Sequence, residues 1–204
     1  IYEEGIFLNK KDDKKLIINN ENFQFITYTI PFFEWGKYGK KPSYYIDSND
    51  ENIFLVSGSG MFFKFRKNDI ENKNIKIYSI RSNLIDIINY PEFYYGGKLS
   101  IKDIYIENNN VYLSYTNKVK ENCYNTSVLK GKILEKKIIF ENFFENKQCT
   151  KNRTQAAGGR IVRLDKDKIL LTVGDYGNWK LAQNKDSIFG KIISIDERTK
   201  EFKI

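Results

Sequence analysis

The sequence predicts an all-β chain of four-stranded antiparallel blades, and three observations lead there. First, three short apolar runs share one shape: Ile53-Phe54-Leu55-Val56-Ser57, Val111-Tyr112-Leu113-Ser114-Tyr115 and Ile169-Leu170-Leu171-Thr172-Val173. Their starts lie 58 residues apart, twice over, and a fixed period is the mark of a repeat architecture. Second, each run follows a polar turn, Asp50-Glu51-Asn52, Asn108-Asn109-Asn110 or Asp165-Lys166-Asp167-Lys168. Turns rich in Asn and Asp join adjacent antiparallel strands, because these side chains bond their own backbone and tolerate tight conformations. Third, one strand-like segment precedes each turn and two more follow each run, several with the period-2 alternation of half-buried strands. Four-stranded units repeated around an axis make a β-propeller.

Taken in order, residues 1–40 form an N-terminal segment. Residues 23–28 alternate and read as an outer strand, expected to close a blade contributed from outside this sequence. Residues 32–36, Phe-Phe-Glu-Trp-Gly, read as core packing under a blade. The first blade spans 41–82, with strands at 43–46, 53–57, 61–65 and 75–80. Residues 84–90 link it to the second and suit a single helical turn. The second blade spans 98–145, with strands at 101–106, 111–115, 128–134 and 137–140. The third spans 158–204, with strands at 159–164, 169–173, 190–195 and 201–204. Closed propellers have about four to eight blades, so three are expected to be half of a six-bladed ring. The open blade faces then need the remaining blades or a second copy. The sequence begins at Ile1 and runs to Ile204 straight after a strand, so a larger parent protein is expected.

The 204 residues, 24.1 kDa, are 41% apolar, 29% charged and 15% aromatic. That composition supports a packed core and excludes general disorder. No stretch approaches the roughly 20 apolar residues of a membrane helix. The chain has no His, which removes His general bases, Ser-His and Cys-His nucleophile pairs and His metal sites. The net charge is +8, but Lys is spread among Asn, Ile and acids. The densest runs, Lys10-Lys11 and Lys14-Lys15, are broken by Asp12 and Asp13, so no nucleic-acid partner is expected. Glu3-Glu4 and Asp12-Asp13 read as solvated surface.

Cys123 and Cys149 lie in polar surroundings, unlike buried structural thiols. They are expected to form a disulfide contributing on the order of 3 kcal/mol, which points to an oxidising compartment, periplasmic or secreted. Asn125-Thr126-Ser127 and Asn152-Arg153-Thr154 match the glycosylation pattern, weakly in a chain so rich in Asn.

Several residues stand out chemically. Asp175 lies in a Gly-Asp-Tyr-Gly turn after a strand. Its carboxylate suits calcium, and equally suits bonding to the turn's own N–H groups. Gln183 either faces a pocket or braces the same loop. Arg160 follows two glycines at the start of an innermost strand. It either meets an anion in the channel or pairs with a carboxylate such as Asp175. Trp179, in a loop, either stacks on a sugar or packs on a neighbouring blade. Ser57-Gly58-Ser59-Gly60 lacks the Lys-Ser/Thr ending and following helix of a phosphate loop, and reads as a turn.

Over roughly residues 95–198 the chain resembles the glucose/sorbosone dehydrogenase family. Asp103-Ile104-Tyr105-Ile106, the Asn turn and Val111-Tyr112-Leu113-Ser114-Tyr115 look like the family's strand, turn and "YLSY" segment. Gly158-Gly159-Arg160-Ile161 looks like its "GGRL", Thr172-Val173-Gly174-Asp175-Tyr176-Gly177 like its "TxGDxG", and 182–192 like its "AQ…SLGKV". The resemblance implies a six-bladed propeller oxidising sugars with pyrroloquinoline quinone and calcium. It also implies a catalytic His shortly before the GGR segment. That place holds Ala156, which cannot take the sugar hydroxyl's proton. A Gln that touches the cofactor falls at Lys98, where a cation meets an anionic quinone differently. Two readings follow: a quinone-linked sugar dehydrogenase of reduced activity, or a non-catalytic ligand- or protein-binding propeller.

Overall fold

A computed structural model of the chain describes residues 6–18, 21–29, 44–95, 99–151 and 156–204. It begins with a hairpin of β1 (Ile6–Ile18) and β2 (Glu21–Thr29). Three antiparallel four-stranded units follow. The first is β3 (Tyr44–Ser48), β4 (Asn52–Ser57), β5 (Phe62–Arg66) and β6 (Asn74–Ser82). Two short helices, α1 (Leu84–Ile87) and α2 (Pro91–Tyr95), lead to the second. This is β7 (Ile101–Glu107), β8 (Asn110–Lys120), β9 (Cys123–Ile133) and β10 (Lys137–Phe144). The third is β11 (Gly158–Asp165), β12 (Lys168–Val173), β13 (Lys191–Asp196) and β14 (Phe202–Lys203), with helix α3 (Trp179–Gln183) between β12 and β13. Each unit is a simple meander, strand pairing next to strand.

The local chemistry explains the turns. Asn49 accepts the N–H groups of Glu51 and Asn52, closing the β3–β4 turn. Asn108, at φ 55°, takes the left-handed conformation that a two-residue hairpin turn requires and Asn tolerates. Asp165 accepts the N–H of Asp167 before β12.

The units pack face to face. Phe54, Val56 and Phe62 of the first meet Ile104, Ile106, Leu113 and Leu129 of the second, with Leu84, Ile88 and Phe93 filling the seam. Tyr112, Val128, Phe143 and Phe144 of the second meet Ile161, Ile169, Leu171 and Ile193 of the third. A third cluster, with Leu8, Leu55, Phe63, Phe65, Ile75 and Ile77, backs the first unit. The outer strands β6 and β10 also touch in parallel at Arg81–Lys137 and Ser82–Ile138, which joins the first two units into one sheet.

Several elements depart from the sequence expectation, among them β1 and α2, which were not expected at all. Residues 23–28 do form a strand, but β2 pairs with β1, and Ile6–Asn9 of β1 pairs with Asn74–Ile77 of β6. The hairpin thus extends the first unit. β8 and β9 run well past the expected segments, pairing Thr116 with Thr126 and Asn117 with Asn125. Their polar residues read as loop, yet Thr116, Asn125, Thr126 and Ser127 are fully buried. Cys123 consequently starts a buried strand. Trp179 opens a helical turn, too short for any periodicity to reveal. The aromatic segment 32–36 and the acidic pair Glu3-Glu4 lie outside the described residues, whereas Asp12 and Asp13 are exposed as expected.

Candidate functional site

The strands β7 and β11 run side by side in the same direction, each the innermost of its sheet. At the rim where both begin, the segment 156–160 enters the third unit. Its backbone is tightly confined. Gly159 has φ 113°, and a Cβ there would lie 2.3 Å from Lys102 Cβ. A Cβ on Gly174, across the same rim, would lie 1.7 Å from the Ala156 carbonyl oxygen. Only glycine permits either approach.

The second unit grips this segment with side chains. Ser114 Oγ donates to the Gly159 carbonyl at 2.6 Å, and Thr126 Oγ1 donates to that of Ala157 at 2.8 Å. With its proton so used, Thr126 accepts from the Tyr176 hydroxyl at 2.7 Å. Burial pushes the Tyr176 phenol well above its usual range, which keeps it a neutral donor. Asp103 Oδ2 accepts the Ile161 N–H at 2.8 Å, and its Oδ1 lies 3.2 Å from Arg160 Nη1. Burial pushes the Asp103 carboxyl up, against the Ile161 N–H and the Arg160 charge, which favour its ionised form.

Arg160 therefore pairs with Asp103 and not with Asp175. The Asp175 Oδ1 is taken by the N–H of Gly177 at 2.8 Å, closing its own turn. The Arg160 side chain remains 75% exposed, so it can still meet a ligand. Ala156 is exposed at the same rim, with φ 53°. Gly190 brings the Asp175 turn against Ala182 of α3. The rim thus gathers Ala156, Arg160, Asp175 and α3, which carries Trp179, 67% exposed, and Gln183, also exposed. Lys98 lies outside the described residues. Asp103, Ser114, Thr126 and Tyr176 were not singled out by sequence. A lone acid in an alternating apolar strand was the one signal for Asp103.

Cys123 and Cys149 are joined, with Cα atoms 5.3 Å apart. Asn125, of the first glycosylation pattern, is fully buried, its amide donating to the carbonyls of Asn146 and Gln148. The second pattern lies outside the described residues. Among the described residues no group of three or more His, Cys, Asp or Glu side chains could hold a metal ion. No helix among them is long and apolar enough to cross a membrane.

Repeated four-stranded blades, stacked through their faces with parallel inner strands, define a β-propeller. Solved structures share this fold. The soluble aldose sugar dehydrogenase from Escherichia coli, in its apo form, is 16% identical, with a TM-score of 0.58 over 77% of this chain and 44% of that one. A glucose dehydrogenase is 13% identical, with a TM-score of 0.57 over 75% of this chain and 47% of its own length. The chain spans less than half the length of either. No curated protein matches the sequence. The Glucose / Sorbosone dehydrogenase family model matches residues 70–202, more than half of the chain, which belongs to that family.

Proposed function

We propose that this chain forms half of a quinone-linked, sugar-oxidising propeller, and that its rim holds a ligand but supplies no catalytic base. Ala156 carries this reading. It stands where the family resemblance expects His, the chain has no His, and a methyl group accepts no proton. Loss of a general base typically slows such a reaction by about 10² to 10⁴.

The binding half of the reading rests on Arg160, exposed and oriented by Asp103. A guanidinium suits the carboxylates of pyrroloquinoline quinone, bonding them in a planar, charge-assisted way. Lys98 is a second cation proposed for that anion. The bound quinone would supply the hydride acceptor for the sugar. Trp179 and Gln183 are proposed for the sugar side and Asp175 for calcium. Among the described residues no group of three or more His, Cys, Asp or Glu surrounds Asp175, so this carboxylate would hold calcium only together with ligands from the rest of the protein.

The proposed blades are 41–82, 98–145 and 158–204, with 1–40 as an N-terminal segment, in a ring of six. One register position supports further blades. Phe62, Val128 and Ile192 occupy equivalent places, opposite Val56, Ser114 and Thr172. The first two are 1% and 0% exposed, buried by the next blade, whereas Ile192 is 61% exposed. Val162 and Leu164 on the same sheet are also open, at 48% and 50%. This face fits another blade. The disulfide supports a periplasmic or secreted location.

The test is calorimetric titration of the full-length protein with pyrroloquinoline quinone and calcium, followed by aldoses and an electron acceptor. Micromolar binding with slow or absent turnover is expected. Fast turnover would mean another group supplies the base. No binding would favour the second reading, a non-catalytic protein-binding propeller.

A further inference from the structure

The segment between β10 and β11 is held to the second blade at several points. Cys149 is bonded to Cys123 at the start of β9. Thr150 and Tyr124 exchange both backbone hydrogen bonds at 2.9 Å. Asn125 Nδ2 donates to the carbonyls of Asn146 at 2.6 Å and Gln148 at 2.8 Å.

Gln148, next to Cys149, reaches across to the third blade. Its Nε2 donates to the Asp186 carbonyl at 2.8 Å, and its Oε1 accepts the Ile188 N–H at 3.0 Å. One side-chain amide thereby satisfies a backbone acceptor and a backbone donor two residues apart, as a neighbouring strand would. Beyond Ile188 the chain passes buried Phe189 to Gly190, which packs on Ala182 of α3. In the other direction, the chain from Cys149 leads to Ala156 at the rim.

We propose that the Cys123–Cys149 disulfide and Gln148 form a redox-sensitive latch between the second and third blades. The disulfide fixes the segment around residue 148, which keeps the Gln148 amide in register with Asp186 and Ile188. Cys149 is partly exposed, so a small thiolate can reach it. A dithiol reduces the bond to two thiols and is itself oxidised to a cyclic disulfide. The freed segment then loses its fixed position, Gln148 leaves the third blade, and the loop carrying α3 loosens. The hydrophobic seam persists, because it is built from other residues.

Residue-resolved amide hydrogen exchange on the full-length protein, with and without dithiothreitol, tests this. Reduction is expected to speed exchange at Ile188 and Thr150 at least tenfold, while Leu113 and Ile193 keep their rates. Gln148→Met, with the disulfide intact, is expected to speed exchange at Ile188 but not at Thr150. Unchanged exchange at Ile188 after verified reduction would overturn the latch. So would acceleration at Leu113 matching that at Ile188, which would mean the disulfide supports the whole fold and not this contact. None of these readings depends on cofactor binding or turnover.

Discussion

Asp103 on the inner strand of the second blade accepts the backbone N–H of Ile161 on the inner strand of the third, at 2.8 Å. Inner strands of adjacent blades do not pair as a sheet, so their facing N–H groups need another acceptor. One blade earlier Asp47 does the same for Ile106, at 2.6 Å. On these two inner strands, β3 and β7, a carboxylate thus replaces a ladder bond to the next blade.

Asp103→Ala would leave the buried Ile161 N–H without its acceptor, which costs about 1–3 kcal/mol. Denaturant unfolding of the full-length protein should show that loss. Asp103→Asn keeps an oxygen acceptor and should lose less.

The same residue has a pH signature. Its folded pKa is raised by burial, so the folded state holds this proton more tightly than the unfolded chain. Its contribution is fully present below the unfolded carboxyl pKa, about 3.9, and is lost as pH rises through the higher folded value. The stability of Asp103→Asn relative to the parent should therefore improve as pH rises from about 3 through that folded value. A difference that stays flat across this window would refute the assignment.

Ala156 sits at φ 53°, a left-handed conformation unfavourable for Ala and better tolerated by His. Ala156→His should fit this backbone and restore a base at the rim. Turnover of aldoses by the quinone-loaded full-length protein is expected to rise by about 10² to 10⁴. An unchanged rate, with quinone affinity intact, would place the missing step elsewhere.

Arg160→Gln removes the exposed cation while leaving the Asp103–Ile161 bond in place. Charge-assisted hydrogen bonds contribute about 1.5–3 kcal/mol, so quinone affinity should fall about 10- to 100-fold by calorimetry. Affinity within a factor of two of the parent would exclude Arg160 from the site.

Ile192→Ala separates an open sheet face from a covered one. In the 204-residue chain the substitution should change stability by less than about 0.5 kcal/mol, as at a surface site. In the full-length protein it should cost about 2–5 kcal/mol, as in a core. Equal small effects in both would leave no blade stacked there.

The period located the middle strands of the three blades, because those strands are covered on both faces and so read as short apolar runs. Val111, Leu113 and Tyr115 of β8 pack in one cluster and Tyr112 in the other. β1, which lies outside the repeat, was not legible. The 58-residue repeat of 53–57, 111–115 and 169–173 is β4, β8 and β12. The extension of β8 and β9 was not legible. Thr116, Asn125 and Thr126 have the composition of a loop, and their burial depends on partners in other segments. The same holds at the rim. Arg160 and Asp175 stood out by type and by neighbours in the chain, yet Arg160 found Asp103, which lies 57 residues away.

What the sequence determined alone is therefore whatever a local rule can enforce: the strand pattern, the Asn turns, the absence of any His base and the family. Tertiary structure decided which blade face stays open, which carboxylate orients Arg160, and that Gln148 and the disulfide bind two blades at one rim. These depend on contacts between distant segments, and no local spacing encodes them.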